Sequence, residues 1–360
     1  MSYLVPIAEF VNYLMFSILV GKVVLQYVPE SKKPKIEIPK SIFLLAPLGI
    51  MIFSFVPLLQ VILFFKESVG FGTATLSVLT DFQIGRAWIA ICVLALLLWI
   101  MIYFNSDKFI QAICLILMIL AVGSASHVAT LSFVSGIYSH SIHFLMVTIW
   151  VGVLLHVSWF SKDRNNWTSF LKWFTPLASF CFLVIIISGL ILMYFVEQPS
   201  GYLNSWAIPY GRMMLIKHIS IIPVITFALV NGILAKKSAL LSHFDPRPWV
   251  RVESIILLIV FYCTAIMGTL PPPHEVEQGI TSGSRPTWVQ WLLAKQELAA
   301  LKVELSPTVP SVLLIMLSLF FLMMILMSFK KVNHVIAGIL GIGFIITFYL
   351  GLMFSVILYN

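Results

Sequence analysis

Imidazole and thioether side chains are the groups in this chain whose types and spacing stand out chemically. His127, His140 and His143 lie close together, and the i, i+3 spacing of His140 and His143 puts both on one helix face. Met146 continues that stripe by the same step. A second group, Met213, Met214, Lys217 and His218, falls within a short stretch of another apolar segment. Neutral imidazole binds Cu(I) or Cu(II), and thioether favours the softer Cu(I), so the mixed set suits a copper ion. Zinc fits less well, because no tight Cys/His set or His–carboxylate cluster is visible. Cys92, Cys114, Cys181 and Cys263 sit inside apolar runs and form no CxxC pair, which argues against a disulfide framework. A lone methionine is ordinary filler in an apolar helix. It is the grouping that points to a metal.

The elements that position these groups follow from composition. Of 360 residues, 60% are hydrophobic and 10% charged, and the mean hydropathy is +1.03. A soluble fold of this size cannot hide so much apolar surface. A soluble enzyme, a disordered chain and a nucleic-acid-binding domain are excluded, and an all-α, polytopic membrane helical bundle is expected. Ten spans are predicted, each able to satisfy its backbone as a helix in lipid: Leu4–Tyr27, Ser41–Phe65, Ile84–Phe104, Phe109–Ser126, Tyr138–Phe160, Phe174–Val196, Tyr210–Leu234, Val250–Leu270, Pro310–Phe329 and Val335–Leu358.

Charge gives the orientation. Most of the 22 basic residues fall in connections after odd-numbered spans, among them Lys32, Lys33, Lys35, Lys162, Lys236, Lys237 and Lys330. Those connections are therefore expected in the cytoplasm, with both termini outside. This accounts for the net charge of +8 without an acidic partner. It also places His127, His140, His143, Met213, Met214 and His218 in one outer layer. The long outer connection, 274–309, carries Thr287 to Leu293 with two tryptophans, then Lys295, Glu297, Lys302 and Glu304. It reads as an interfacial amphipathic helix.

Ionisable residues inside a membrane are costly and often functional. Glu9, Lys217 and Glu253 are such residues within spans, and Arg86 opens span three. Gating or structural roles are expected for these four. Glu9 and Lys217 sit at similar depth and could pair, and Arg251 could snorkel beside Glu253.

Several segments, in order, resemble the copper resistance protein D (CopD) family. Gly85-Arg86-Ala87-Trp88, Ser126-His127-Val128, and His143 with Trp150-Val151-Gly152-Val153-Leu154 come first. Ser188-Gly189-Leu190, Tyr210-Gly211-Arg212-Met213-Met214-Leu215-Ile216-Lys217, and Arg251, Glu253 and Pro271-Pro272 follow. Ser126 and Val128 depart from the family's Gly-His-Ala, and His218 lies outside its pattern. On this basis the chain divides into residues 1–83 (spans one and two), a CopD-like core at 84–273, the outer loop 274–309 and a C-terminal pair of spans at 310–360. The resemblance implies copper movement across a bacterial cytoplasmic membrane, in the import direction, linked to copper resistance or homeostasis. His127, His140 and His143 would capture the ion outside, and Met146, Met213, Met214 and His218 would pass it inward. An extracytoplasmic copper-binding protein is the partner such a site would meet. No P-loop or phosphorylatable Asp motif is evident, so neither ATP-driven pumping nor enzymatic activity is expected. Two alternatives remain: a membrane electron-transfer protein with haem between His143 and His218, and a copper-delivery factor that does not translocate the ion.

Overall fold

The computed structural model describes residues 3–163, 165–197, 201–238, 245–273, 302–328 and 333–359. The chain forms two compact units, one of Met1–Phe195 with Gly232–Ser254, the other of Val196–Asn231 with Ile255–Asn360. Among the described residues, nine helices are long and apolar enough to cross a membrane, each at a predicted span. The helix at the remaining span, Lys108–Ser124, is apolar but only 17 residues long.

In the first unit the helices are α1 (Leu4–Gln26), α2 (Lys40–Val69), α3 (Phe71–Thr80), α4 (Gln83–Tyr103), α5 (Lys108–Ser124), α6 (His127–Leu131), α7 (Phe133–Phe160) and α8 (Trp167–Val196). The short α3 and α6 fall in connections expected to be loops. Gly70, at φ 81°, ends α2 and lets the chain restart as α3. The α1–α7 pair is the centre of the unit, flanked by α2 and α5. It packs backbone to backbone: a Cβ on Gly21 would collide with the Gly152 main chain, and one on Gly152 with the Ser17 carbonyl. Small residues at such a seam let dispersion act where lipid removes the hydrophobic drive. Around it lies a buried cluster that includes Phe16, Leu19, Ile50, Leu98, Met118 and Phe144. Outward, Ile52, Phe64, Phe180 and Leu183 are exposed, as lipid-facing side chains of membrane helices should be.

The turn between α4 and α5 is built from its own residues. Asn105 is left-handed at φ 52°. Its N–H donates to the Ile102 carbonyl and the Ser106 N–H to the Met101 carbonyl, a Schellman closure with asparagine in glycine's place. Asp107 then caps α5 by accepting from the Phe109 N–H at 2.7 Å. At the same end of the helices, Ile36 bridges Ser161, and Trp173 Nε1 donates to the Lys32 carbonyl. These contacts pin the α1–α2 connection against the α7–α8 connection. The exposed Lys35 and Glu37 pair there at 2.7 Å, which raises the lysine and lowers the carboxyl from their ordinary values.

The second unit holds most of α9 (Pro209–Ser238), the later part of α10 (Arg247–Met267), and the α11 (Val309–Ser328) and α12 (His334–Met353) hairpin. Two of its features correct the sequence reading. The last helix stops at Met353, and Val356–Tyr359 forms a strand (β2) rather than the end of a span. Its antiparallel partner, β1 (Lys302–Leu305), holds Lys302 and Glu304, which had been assigned to an amphipathic helix. A short apolar run reads alike for strand and helix. The alternation of exposed Lys302, buried Val303 and exposed Glu304 is the period of a strand. The tryptophan-bearing segment from Thr287 to Leu293 lies outside the described residues.

Candidate functional site

The candidate ligands divide between the two units. In the first, α7 carries His140, His143 and Met146, all half-buried. Helix α7 is held here by Ser141, whose hydroxyl donates to the Ile119 carbonyl of α5 at 3.3 Å. Gly136 presses so closely on Ala129 of α6 that a Cβ would clash with its backbone.

His143 has the best-defined setting. Its Nδ1 lies 3.1 Å from the Ser188 hydroxyl on α8. That hydroxyl has one proton, given to the Val184 carbonyl at 2.6 Å. Ser188 therefore accepts from His143, which assigns the proton to Nδ1 and the lone pair to Nε2. The next residue, Gly189, makes room: a Cβ there would stand 3.3 Å from His143 Cε1. Ser188 orients the ring and Gly189 clears space for it, an outer-shell arrangement common beneath metal-binding histidines.

His140 packs against Phe144, with ring centroids 6.4 Å apart. Phe144 also meets Tyr13 of α1 at 5.7 Å, and Tyr13 hydrogen-bonds the Glu9 carboxyl one turn earlier. Glu9 thus belongs to the surroundings of the α7 histidines. His127 is exposed at the first position of α6, where Ser126 caps the helix by accepting from the Ala129 N–H. Among the described residues, no three His, Cys, Asp or Glu side chains gather into a metal-holding group.

The second unit places Met213 half-buried, Met214 buried, Lys217 half-buried and His218 exposed along α9. His218 Nδ1 is 2.9 Å from the Tyr202 hydroxyl. Burial raises the Tyr202 phenol above its usual range, so it stays protonated. With Nδ1 engaged, only Nε2 of His218 is left to turn to a metal. The Tyr210-Gly211-Arg212 element is architectural. Gly211 sits against the Ser205 carbonyl where a Cβ would collide, and Arg212 donates to the Trp206 and Ala207 carbonyls at 3.1 and 3.0 Å.

Of the remaining polar residues, Arg86 is exposed in the first turn of α4. Glu253 is 3% exposed, in the part of α10 that belongs to the first unit. Arg251 turns elsewhere than the sequence suggested, donating from Nε to the Ser158 carbonyl at 2.8 Å and lying over the Trp159 ring.

One histidine that the sequence reading placed at the end of span five, outside the candidate site, has a defined setting. His156, in the C-terminal half of α7, is 2% exposed and stacks on Phe43 at 5.9 Å. Its Nδ1 donates to the Gly152 carbonyl at 2.7 Å, so Nε2 carries a lone pair, buried without a hydrogen-bond partner among the described residues. The hint in sequence was Gly152 one turn earlier, at the seam that admits the ring.

Residues 168–267 match the family model for copper resistance protein D. No curated protein and no solved structure gives a significant match. The copper resistance protein D match takes in Ser188, Gly189, Met213, Met214, Lys217, His218 and Glu253. It leaves out α7, with His140, His143 and Met146. Yet His143 is seated by Ser188 and Gly189, which lie inside the matched stretch.

Proposed function

We propose that this chain carries copper across the cytoplasmic membrane, inward, as cargo rather than as a resident cofactor. The observation that carries the reading is the match of residues 168–267 to copper resistance protein D. The ligand types support it, and so does the seat that Ser188 and Gly189 make for His143. His127, His140 and His143 capture the ion at the outer face. Met146, Met213, Met214 and His218 relay it through sites that load but do not trap. His156 extends the relay into the inner half of α7, where it and Cys181 are the few ligands the sequence offers. Glu9, Arg86, Lys217 and Glu253 keep structural or gating roles, and an extracytoplasmic copper-binding protein is the natural donor.

Whole-cell copper accumulation tests capture. His127→Ala and His143→Ala are each expected to lower it, and unchanged accumulation in both rejects the capture step. Delivery without translocation is the second reading: it needs outer ligands but no path of ligands through the inner half, where the sequence is poor in them. Copper flux into proteoliposomes separates the two: flux supports transport, and binding without flux supports delivery.

A further inference from the structure

Next to Phe43, the ring on which His156 stacks, the first unit holds a cavity of about 290 Å³ where the ends of α1 and α4 meet the starts of α2 and α5. It is near the lower end of the range ligand pockets occupy, roughly 300–1,000 Å³. Lys22, Lys40, Phe43, Asn105, Ser106 and Gln111 are among its lining residues. No carboxylate lines it, and the nearest in sequence, Asp107, is turned to the α5 N-terminus as its cap. Among the described residues neither Lys22 nor Lys40 takes part in an ion pair.

The donors outnumber their uses. Lys22 Nζ reaches Gln111 Oε1 at a long 3.4 Å and lies 4.9 Å from the Phe43 ring centre. Lys40 Nζ donates to the Tyr103 carbonyl and to Asn105 Oδ1, each at 2.9 Å. An ammonium has three N–H groups, so both lysines have donors to spare. The Ser106 hydroxyl is buried without a hydrogen-bond partner among the described residues. Gln111 is 2% exposed and fixed by its Nε2 bond to the Ser106 carbonyl at 2.9 Å. A third lysine, Lys108, stands over Tyr27 near the rim and donates to the carbonyl of Gln26, another lining residue.

Two cations, a stranded hydroxyl and no negative charge make a site for a tetrahedral oxyanion, which accepts several charge-assisted hydrogen bonds at once. We propose that this cavity binds a phosphate group. Its position at helix ends, on the side the positive charges mark as cytoplasmic, puts it at headgroup level, where basic pockets between membrane helices take anionic lipid. The phosphate of an anionic phospholipid and free inorganic phosphate share this chemistry.

The full chain in phosphatidylcholine nanodiscs tests it in two arms. One adds phosphatidylglycerol and counts retained lipid by native mass spectrometry. The other titrates inorganic phosphate by calorimetry. Saturable binding in either arm supports the site and names the source. Lys22→Gln with Lys40→Gln is expected to weaken it by about a hundredfold, each lost charge-assisted hydrogen bond contributing roughly tenfold. If that pair fails to fold, Ser106→Ala alone serves, with several-fold weakening expected. No binding in either arm, or equal binding by wild type and variants, overturns the proposal.

Discussion

Two histidines on one helix make an instructive pair. His143 in the N-terminal half of α7 and His156 near its C-terminal end hold their Nδ1 protons in hydrogen bonds and so present the same nitrogen, Nε2, as acceptor. Their surroundings differ. His143 is half-buried and is held from across a helix–helix contact by Ser188. His156 is sealed among aromatic rings and held by its own helix through the Gly152 carbonyl. The first depends on where α8 stands; the second does not. One helix thus carries a half-buried imidazole and another that is 2% exposed.

The comparison can be broken most severely at the seam beneath His156. Gly21→Val drives a side chain into the Gly152 backbone and the His156 ring. Loss is expected beyond the roughly 1–3 kcal/mol of an overpacked core, because main chain cannot step aside as a rotamer can. Little monodisperse protein should be recovered, and recovery at wild-type level would show that the helices are not in contact there.

Next in size is Ser188→Ala, which removes the acceptor that orients His143. Copper affinity by chelator competition is expected to fall by roughly tenfold, the lower end for outer-shell partners of metal ligands. An unchanged affinity would leave the two histidines equivalent. Gly189→Ala is milder, since the new methyl meets only Cε1 of a movable ring at 3.3 Å. A few-fold loss of affinity with an unaltered thermal midpoint is expected.

His156→Phe sharpens the contrast from the other end. It removes a buried lone pair that has no donor together with the Nδ1 bond to the Gly152 carbonyl, so the thermal midpoint should change little. If His156 relays copper, flux into proteoliposomes falls while the protein remains folded. Flux at the wild-type rate would remove His156 from the path. The smallest effect belongs to Lys35 and Glu37, exposed and screened by salt. The lowered carboxyl contributes above its unfolded value, and that contribution is lost as pH falls through its folded value. Lys35→Ala should leave the midpoint and its acid limb unchanged within error.

The spans were legible because nothing but an apolar helix explains runs such as Ile84–Phe104 and Phe174–Val196. What escaped has physical reasons. Val356–Tyr359 is as apolar as the helix before it, and only its pairing with Lys302–Leu305 makes it a strand. His143 and Ser188 lie far apart in sequence, and no periodicity brings α7 and α8 together. The Ser188-Gly189-Leu190 resemblance marked the right residues without saying what they serve. His156 is visible in the sequence as a lone histidine at the end of span five, but its burial and its stack on Phe43 are not. Its meaning depends on a glycine of another helix, Gly21.

That glycine seam has a consequence for motion. At Gly21 and Gly152 the two backbones touch with no side chain between them, so that point of the seam cannot loosen by a change of rotamer. The seat of His143 has no such lock: a displacement of α8 would alter it, and the bond from His143 to Ser188 is the joint at which it would register.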